Sequence, residues 1–297
     1  MRRQWIVSLV LGCVLVASAR AAGTAAQGLL HSTRQSRSDL EITGMVHGLA
    51  ANSRGYVRYT DLAKLPQIEA VVDDDPDYPG VTMHVTGVYL DVLAKAVGAL
   101  PSSDLIDALC TDRYRSHYPT DYIAAHHPIL VLKIDGMLPA AWAAHAHQDD
   151  PGPYLIVYRH FVPSFYVLSH VDRPQLPTNV VRLNFGSTAA TFGAIAPRGN
   201  FAPDSPEQRG FTIAKQNCLR CHSQGPYGGT KSGRTWATLS HMARDRPEFF
   251  AAYIRDPKAA DPHAHMPGNS EYNTATRAAL TAYFRTFTAT APEAKPR

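Results

Sequence analysis

The chain has 297 residues, 45% of them hydrophobic and 18% charged, with 20 glycines, 22 prolines and 4 cysteines. That length allows two domains with a core in each, and the composition excludes a collagen, a coiled coil, a disordered chain and a multi-span membrane protein. The formal charge of +4 falls to 26 basic against 25 acidic residues once Arg2, Arg3 and Arg20 are set aside, and no Lys/Arg run offers the electrostatic footprint of a nucleic-acid partner.

Arg2 and Arg3 precede an apolar run over 5–17, and small residues close it at Ala19-Arg20-Ala21. A charged start, a short apolar stretch and an A-x-A site in that order predict a signal peptide over 1–21. The run is shorter than the ~20 residues that span a bilayer, so the expectation is an exported, periplasmic protein beginning near Ala22. Membrane association follows only if the signal is retained, or is lipidated at Cys13 within Leu11-Gly12-Cys13. Residues 22–40 are small and polar and read as a flexible leader.

From 41 to 190 short β-like runs alternate with helices. Strands are predicted over 55–59, 68–72, 81–85, 129–134, 154–158 and 180–184. Helices are predicted over 60–65 with Thr60 as N-cap, over 89–97 ending at Gly98, and over 121–126. Gly193, Pro197, Gly199, Asn200 and Pro203 cluster in 191–204 and mark the best domain boundary. Beyond it, a helical pattern starts at Ser205-Pro206-Glu207 and runs toward the cysteines. A second helix is predicted over 247–254, and an amphipathic third over 273–287 with Ala279, Leu280, Tyr283, Phe284 and Phe287 on one face. Residues 289–297 read as a loose tail.

The cysteines carry the chemistry. Cys13 falls in the signal and Cys110 stands alone after the apolar run 105–109, as a buried inert thiol. Cys218-Leu219-Arg220-Cys221-His222 is the C-x-x-C-H haem attachment signature. Two thiols three positions apart on one helical turn reach two vinyl groups, and the next residue sets an imidazole under the iron. A redox dithiol does not need His222, and a zinc tetrahedron lacks its second pair of ligands. The expectation is one covalent haem c, held by Cys218 and Cys221.

With these residues in place, the segment 201–288 resembles a class I cytochrome c domain. The resemblance implies crossed first and last helices, with Gly210 and Tyr283 at the matching positions. It implies Met266, in the loop Pro262-His263-Ala264-His265-Met266-Pro267-Gly268, as the axial ligand opposite His222; His263, His265, His241 and Met242 are its rivals. It also points to Pro226 as the residue whose carbonyl orients the proximal imidazole. A soft thioether favours Fe(II) and raises the reduction potential. With both axial positions filled by protein, electron transfer becomes the chemistry rather than substrate activation.

Residues 41–190 resemble a sulfite oxidase-type molybdopterin-binding domain. The likeness lies in Gly87-Val88-Tyr89-Leu90-Asp91-Val92-Leu93, in Thr111-Asp112-Arg113-Tyr114, where Arg113 replaces a glycine, and in Pro128 and Gly152-Pro153-Tyr154 following in order. The family's metal-binding cysteine comes shortly before the first of these motifs, and residues 68–85 contain none. The implied domain is degenerate, without molybdopterin, and kept for binding or docking. The remaining histidines, among them His126-His127, His145 and His147, and the acidic turn Asp73-Asp74-Asp75 read as structural or solvated.

The expected fold class is therefore an α+β domain with a mixed sheet, sulfite oxidase-like, followed by an all-α cytochrome c domain. The expected function is an exported monohaem electron carrier whose first domain docks a redox partner protein, a dehydrogenase or an oxidase. Two other readings stay open. One is a fused, sulfite dehydrogenase-like oxidoreductase passing electrons from the first domain to the haem, and the other is a ligand-binding sensor.

Overall fold

A computed structural model describes residues 28–289. The expected signal, the start of the leader and the last eight residues lie outside the described residues. In chain order the strands and helices are β1 (Leu40–Gly44), β2 (Arg54–Val57), α1 (Tyr59–Leu62), β3 (Ile68–Val72), β4 (Met83–Tyr89), α2 (Leu90–Val97), β5 (Leu105–Cys110), β6 (Arg115–Pro119), α3 (Thr120–His126), β7 (Ile129–Ile134) and α4 (Pro139–Ala146). There follow β8 (Ile156–Val157), β9 (Tyr166–Val167), β10 (His170–Val171), β11 (Val180–Gly186), α5 (Thr188–Ala194), α6 (Pro206–Asn217), α7 (Trp236–Asp245), α8 (Pro247–Arg255), α9 (Pro257–Ala260) and α10 (Thr274–Arg285).

The strands form three sheets. One has the order β2-β1-β11-β5-β6, with β1 and β11 parallel and every other pair antiparallel. The second is antiparallel, β3-β4-β7-β8, and the third is the hairpin β9-β10. Leu40, Ile42, Leu183, Phe185, Ile106 and Tyr118 of the first sheet join Leu90, Leu93 and Val97 of α2 in one buried cluster. Apolar side chains at every second strand position meet those three and four apart on the helix, as the two periodicities require. A second cluster joins Met83, Val85, Val131 and Ile134 to Trp142 and Tyr78. Gly87 sits where β4 shifts register against β7, and a Cβ there would stand 2.4 Å from the carbonyl oxygen of Leu130. Only glycine admits that approach. Residues 28–40 are fastened as well: His31 pairs with Tyr56 through both backbone groups at 2.8 Å, and Leu29 and Leu30 pack on the core.

The expectation of an α+β domain followed by an all-α cytochrome c domain is corrected. The described chain is one mixed α/β structure with three sheets and ten helices, four of which precede the expected boundary while a fifth runs into it. The Gly/Pro-rich stretch breaks the backbone, and packing crosses it. Helix α5 runs into it, and Phe192 of α5, Ile195 just after it and Val167 of β9 belong to the apolar cluster built by α6, α7, α8 and α10. Tyr283 of α10 donates its hydroxyl to the Ile195 carbonyl at 2.5 Å. Backbone bonds cross too, from Arg115 N to Arg220 O and from Thr230 N to Arg113 O, both at 3.0 Å. No described helix is long and apolar enough to cross a membrane.

Candidate functional site

Helix α6 begins at Pro206 under a Ser205 cap, whose hydroxyl accepts from Gln208 N at 3.3 Å. This is a side-chain cap before a proline in the first turn. The helix crosses α10 at Gly210 and ends at Cys218. The chain then turns tightly: Cys221 N and His222 N both donate to Cys218 O, at 3.2 and 3.0 Å. That turn carries Cys218, Cys221 and His222 to one wall of a cavity of about 200 Å³. Met266 and Met242 line it as well, with an apolar wall that includes Leu239, Phe250, Ile254, Leu280 and Phe284. Both cysteines are free thiols.

The structure thus brings together all four residues singled out by sequence: Cys218, Cys221, His222 and Met266. Of the rival ligands, Met242 shares the lining, whereas His241, His263 and His265 are exposed and lie off it. His222 is 6% exposed, and its Nδ1 donates to the carbonyl oxygen of Arg234 at 2.6 Å. A carbonyl only accepts, so the proton sits on Nδ1, and Nε2 keeps the lone pair that a metal needs. Burial lowers the His222 pKa and keeps the ring neutral. The orienting carbonyl is that of Arg234 and not of Pro226, whose oxygen instead accepts from Arg115 Nη1 at 3.2 Å. No sequence signal distinguished the two, because orientation by a backbone carbonyl depends on loop path and not on residue type.

Burial also pushes the Cys218 thiol up to about 12 and raises Cys221, and the neighbouring Cys221 adds to the rise at Cys218. A redox-active dithiol works through a lowered pKa, so this pair does not have the electrostatics of one. Among the described residues no three His, Cys, Asp or Glu side chains converge on a metal-sized site.

The polar end of the cavity continues into a buried chain of hydrogen bonds that sequence reasoning missed. Tyr272, on the lining, donates its hydroxyl to His170 Nδ1 at 2.7 Å; His170 Nε2 donates to Gln216 Oε1 at 2.7 Å; Gln216 Nε2 donates to Asp172. The carboxylate sets every direction. It can only accept, so Gln216 turns its amide nitrogen toward Asp172 and its oxygen toward His170, which must then carry its proton on Nε2. Burial holds His170 neutral, its pKa lowered to about 4.

No family model matches the chain, and no curated protein matches it. Among solved structures the chain is similar to the sulfane dehydrogenase SoxCD from Paracoccus pantotrophus, with 17% sequence identity and a TM-score of 0.35, over 52% of this chain and 40% of that one. The chain thus spans less than half the length of the SoxCD chain it matches. A likeness of that order carries no statement about activity.

Proposed function

We propose that this protein is an exported electron carrier with one covalent haem c, attached through Cys218 and Cys221 and ligated by His222 and Met266. The observation that carries the reading is the His222 tautomer: a buried, neutral imidazole with its lone pair left on Nε2, lining the same largely apolar cavity as two thiols and a thioether. When bound, haem supplies one-electron redox chemistry. The chain's own residues do the rest. The α6 end and the turn after it hold the thiols at i and i+3. The Arg234 carbonyl fixes the imidazole and raises its basicity. Leu239, Phe250, Ile254, Leu280 and Phe284 exclude water from the site. Arg173, Arg220 and Arg234 are the cations on the lining, suited to acidic groups of a ligand. The sheet-bearing part would serve docking of a redox partner, a dehydrogenase or an oxidase.

Cys110 does not offer the thiolate that molybdenum chemistry would need. It is buried on β5, where desolvation and the nearby Asp112 push its pKa up.

The test is metal content and covalent haem in protein matured with its own leader in an export-competent host. The expected result is one iron per chain, no molybdenum, and haem that stays with the chain on a denaturing gel and is lost in Cys218→Ala and Cys221→Ala. A chain without covalent haem sinks the proposal. Molybdenum near one per chain would make the protein a fused oxidoreductase instead.

A further inference from the structure

A second cavity, of about 410 Å³, lies between the sheets and α6, bordered by His117 of β6, Tyr122 of α3, Gln175, Phe192 of α5 and Lys215 of α6. Two residues on its lining each carry a buried polar atom with no hydrogen-bond partner among the described residues: Nε2 of His117 and Oε1 of Gln175. The two residues are 5% and 2% exposed. Leaving a buried polar atom unpaired is costly, so two on residues that line one cavity point to partners supplied from outside the chain.

The chemistry of those partners can be read from what holds each group. His117 Nδ1 donates to Asp107 Oδ1 at 2.8 Å, which orients the ring and leaves Nε2 facing away from the carboxylate as an acceptor. The Gln175 oxygen is an acceptor as well. Both want an O–H or N–H donor. Lys215 wants the opposite. It makes no ion pair with any described residue, and its ammonium stands 5.2 Å over the Phe192 ring and 5.8 Å over Phe211. Asp121 lines the same cavity but forms no ion pair with it; burial lowers the Lys215 pKa, and Asp121 offsets that only in part. A cation short of a counter-ion beside aromatic walls suits a carboxylate on a flat or apolar body. The volume is that of a small-molecule site.

We propose that this cleft binds a small carboxylate that also carries a hydroxyl group, the carboxylate paired with Lys215 and the hydroxyl donating to His117 or Gln175. The inference rests on none of the residues proposed to hold haem, and its test reads heat rather than electron transfer.

The experiment is calorimetric titration of the full mature chain with 4-hydroxybenzoate, benzoate and phenol as probes. The expected result is saturable binding of 4-hydroxybenzoate, with benzoate and phenol each weaker by about tenfold or more. Lys215→Met keeps the stem against Phe192 and removes the charge. It should weaken 4-hydroxybenzoate about tenfold and leave phenol unchanged. No saturable heat with 4-hydroxybenzoate at millimolar concentration, or equal affinity for 4-hydroxybenzoate and benzoate, overturns the proposal and leaves the cleft to water. So does an unchanged affinity in a folded Lys215→Met. The wild-type probe series decides alone if that variant does not fold.

Discussion

Gly210 of α6 lies directly against Tyr283 of α10: a Cβ at position 210 would stand 2.6 Å from the Tyr283 Cβ and 2.2 Å from the carbonyl oxygen of Ala279. The obstruction is backbone and Cβ, not the end of a flexible side chain, so the two helices themselves would have to separate. Gly210→Ala is therefore expected to destabilise the protein by about 2 kcal/mol despite the better helix propensity of alanine. Thermal unfolding should show it as a loss of roughly 4–8 °C. An unchanged melting temperature would show that the crossing is looser than the distances state.

Arg113 presents the opposite case. It adopts φ 70°, in the turn between β5 and β6 where only glycine is free of steric cost. Its carbonyl accepts from Thr230 N, a backbone contact that a glycine would keep. Arg113→Gly should stabilise by about 0.5–1 kcal/mol, the relief of strain outweighing the added freedom of the unfolded chain. The check is a higher denaturant midpoint at an unchanged slope.

The His170 hydrogen-bond chain makes stability depend on pH in a definite sense. Its folded pKa of about 4 lies below the ordinary histidine value, first because the ring is buried and with Arg173 and Arg220 nearby, against the raising effect of the Gln216 bond. Between about pH 6.5 and 4 the unfolded chain binds a proton at this ring and the folded one does not. Stability is therefore full above that window and falls as the pH drops through it, by on the order of 3 kcal/mol. His170→Gln should flatten the acid limb of a stability-versus-pH curve. A limb of unchanged slope would place the acid sensitivity elsewhere.

Met266 and Met242 both line the cavity beside Cys218, Cys221 and His222, and the proposed ligation separates them. Met266→Ala is expected to convert the ferric protein from low spin to high spin, read by electron paramagnetic resonance, and to lower its potential. Met242→Ala, a packing change on α7, is expected to leave the protein low spin. The reverse pattern would move the axial ligand to α7.

The legible parts of the chain are those where one residue pattern has one physical outcome. β3 and β7 fall at 68–72 and 129–134 as read from their apolar β-branched runs, and α2 ends at Gly98 in the left-handed conformation that glycine favours. Ser205 before Pro206 marked the start of α6. At α1 the N-cap is Arg58 with no side-chain bond, and Thr60 lies one position inside the helix. β6, Arg-Ser-His-Tyr-Pro, was missed because it buries Ser116 and His117 with Tyr118, so no apolar alternation exists to be seen. α7 went unread although Thr235 caps it, since Trp236, Leu239, Ser240 and Ala243 make a buried face with a polar member. The C-x-x-C-H turn and Met266 are legible as candidates because their patterns are local in sequence. The Arg234 carbonyl and the His117 and Gln175 acceptors were not, because each depends on segments brought together only by folding.

The bonds from Arg115 N to Arg220 O and from Thr230 N to Arg113 O do more than tie two regions together. β6 is an outer strand of the five-stranded sheet, and the first bond occupies a β6 backbone group that would otherwise face solvent as a template for another chain, while the second ties the turn leading into it. His31 does the same for β2 at the far side. A fragment truncated before Pro206 would lose the cover on β6, and its expected fate is edge-to-edge self-association rather than a tidy, soluble half.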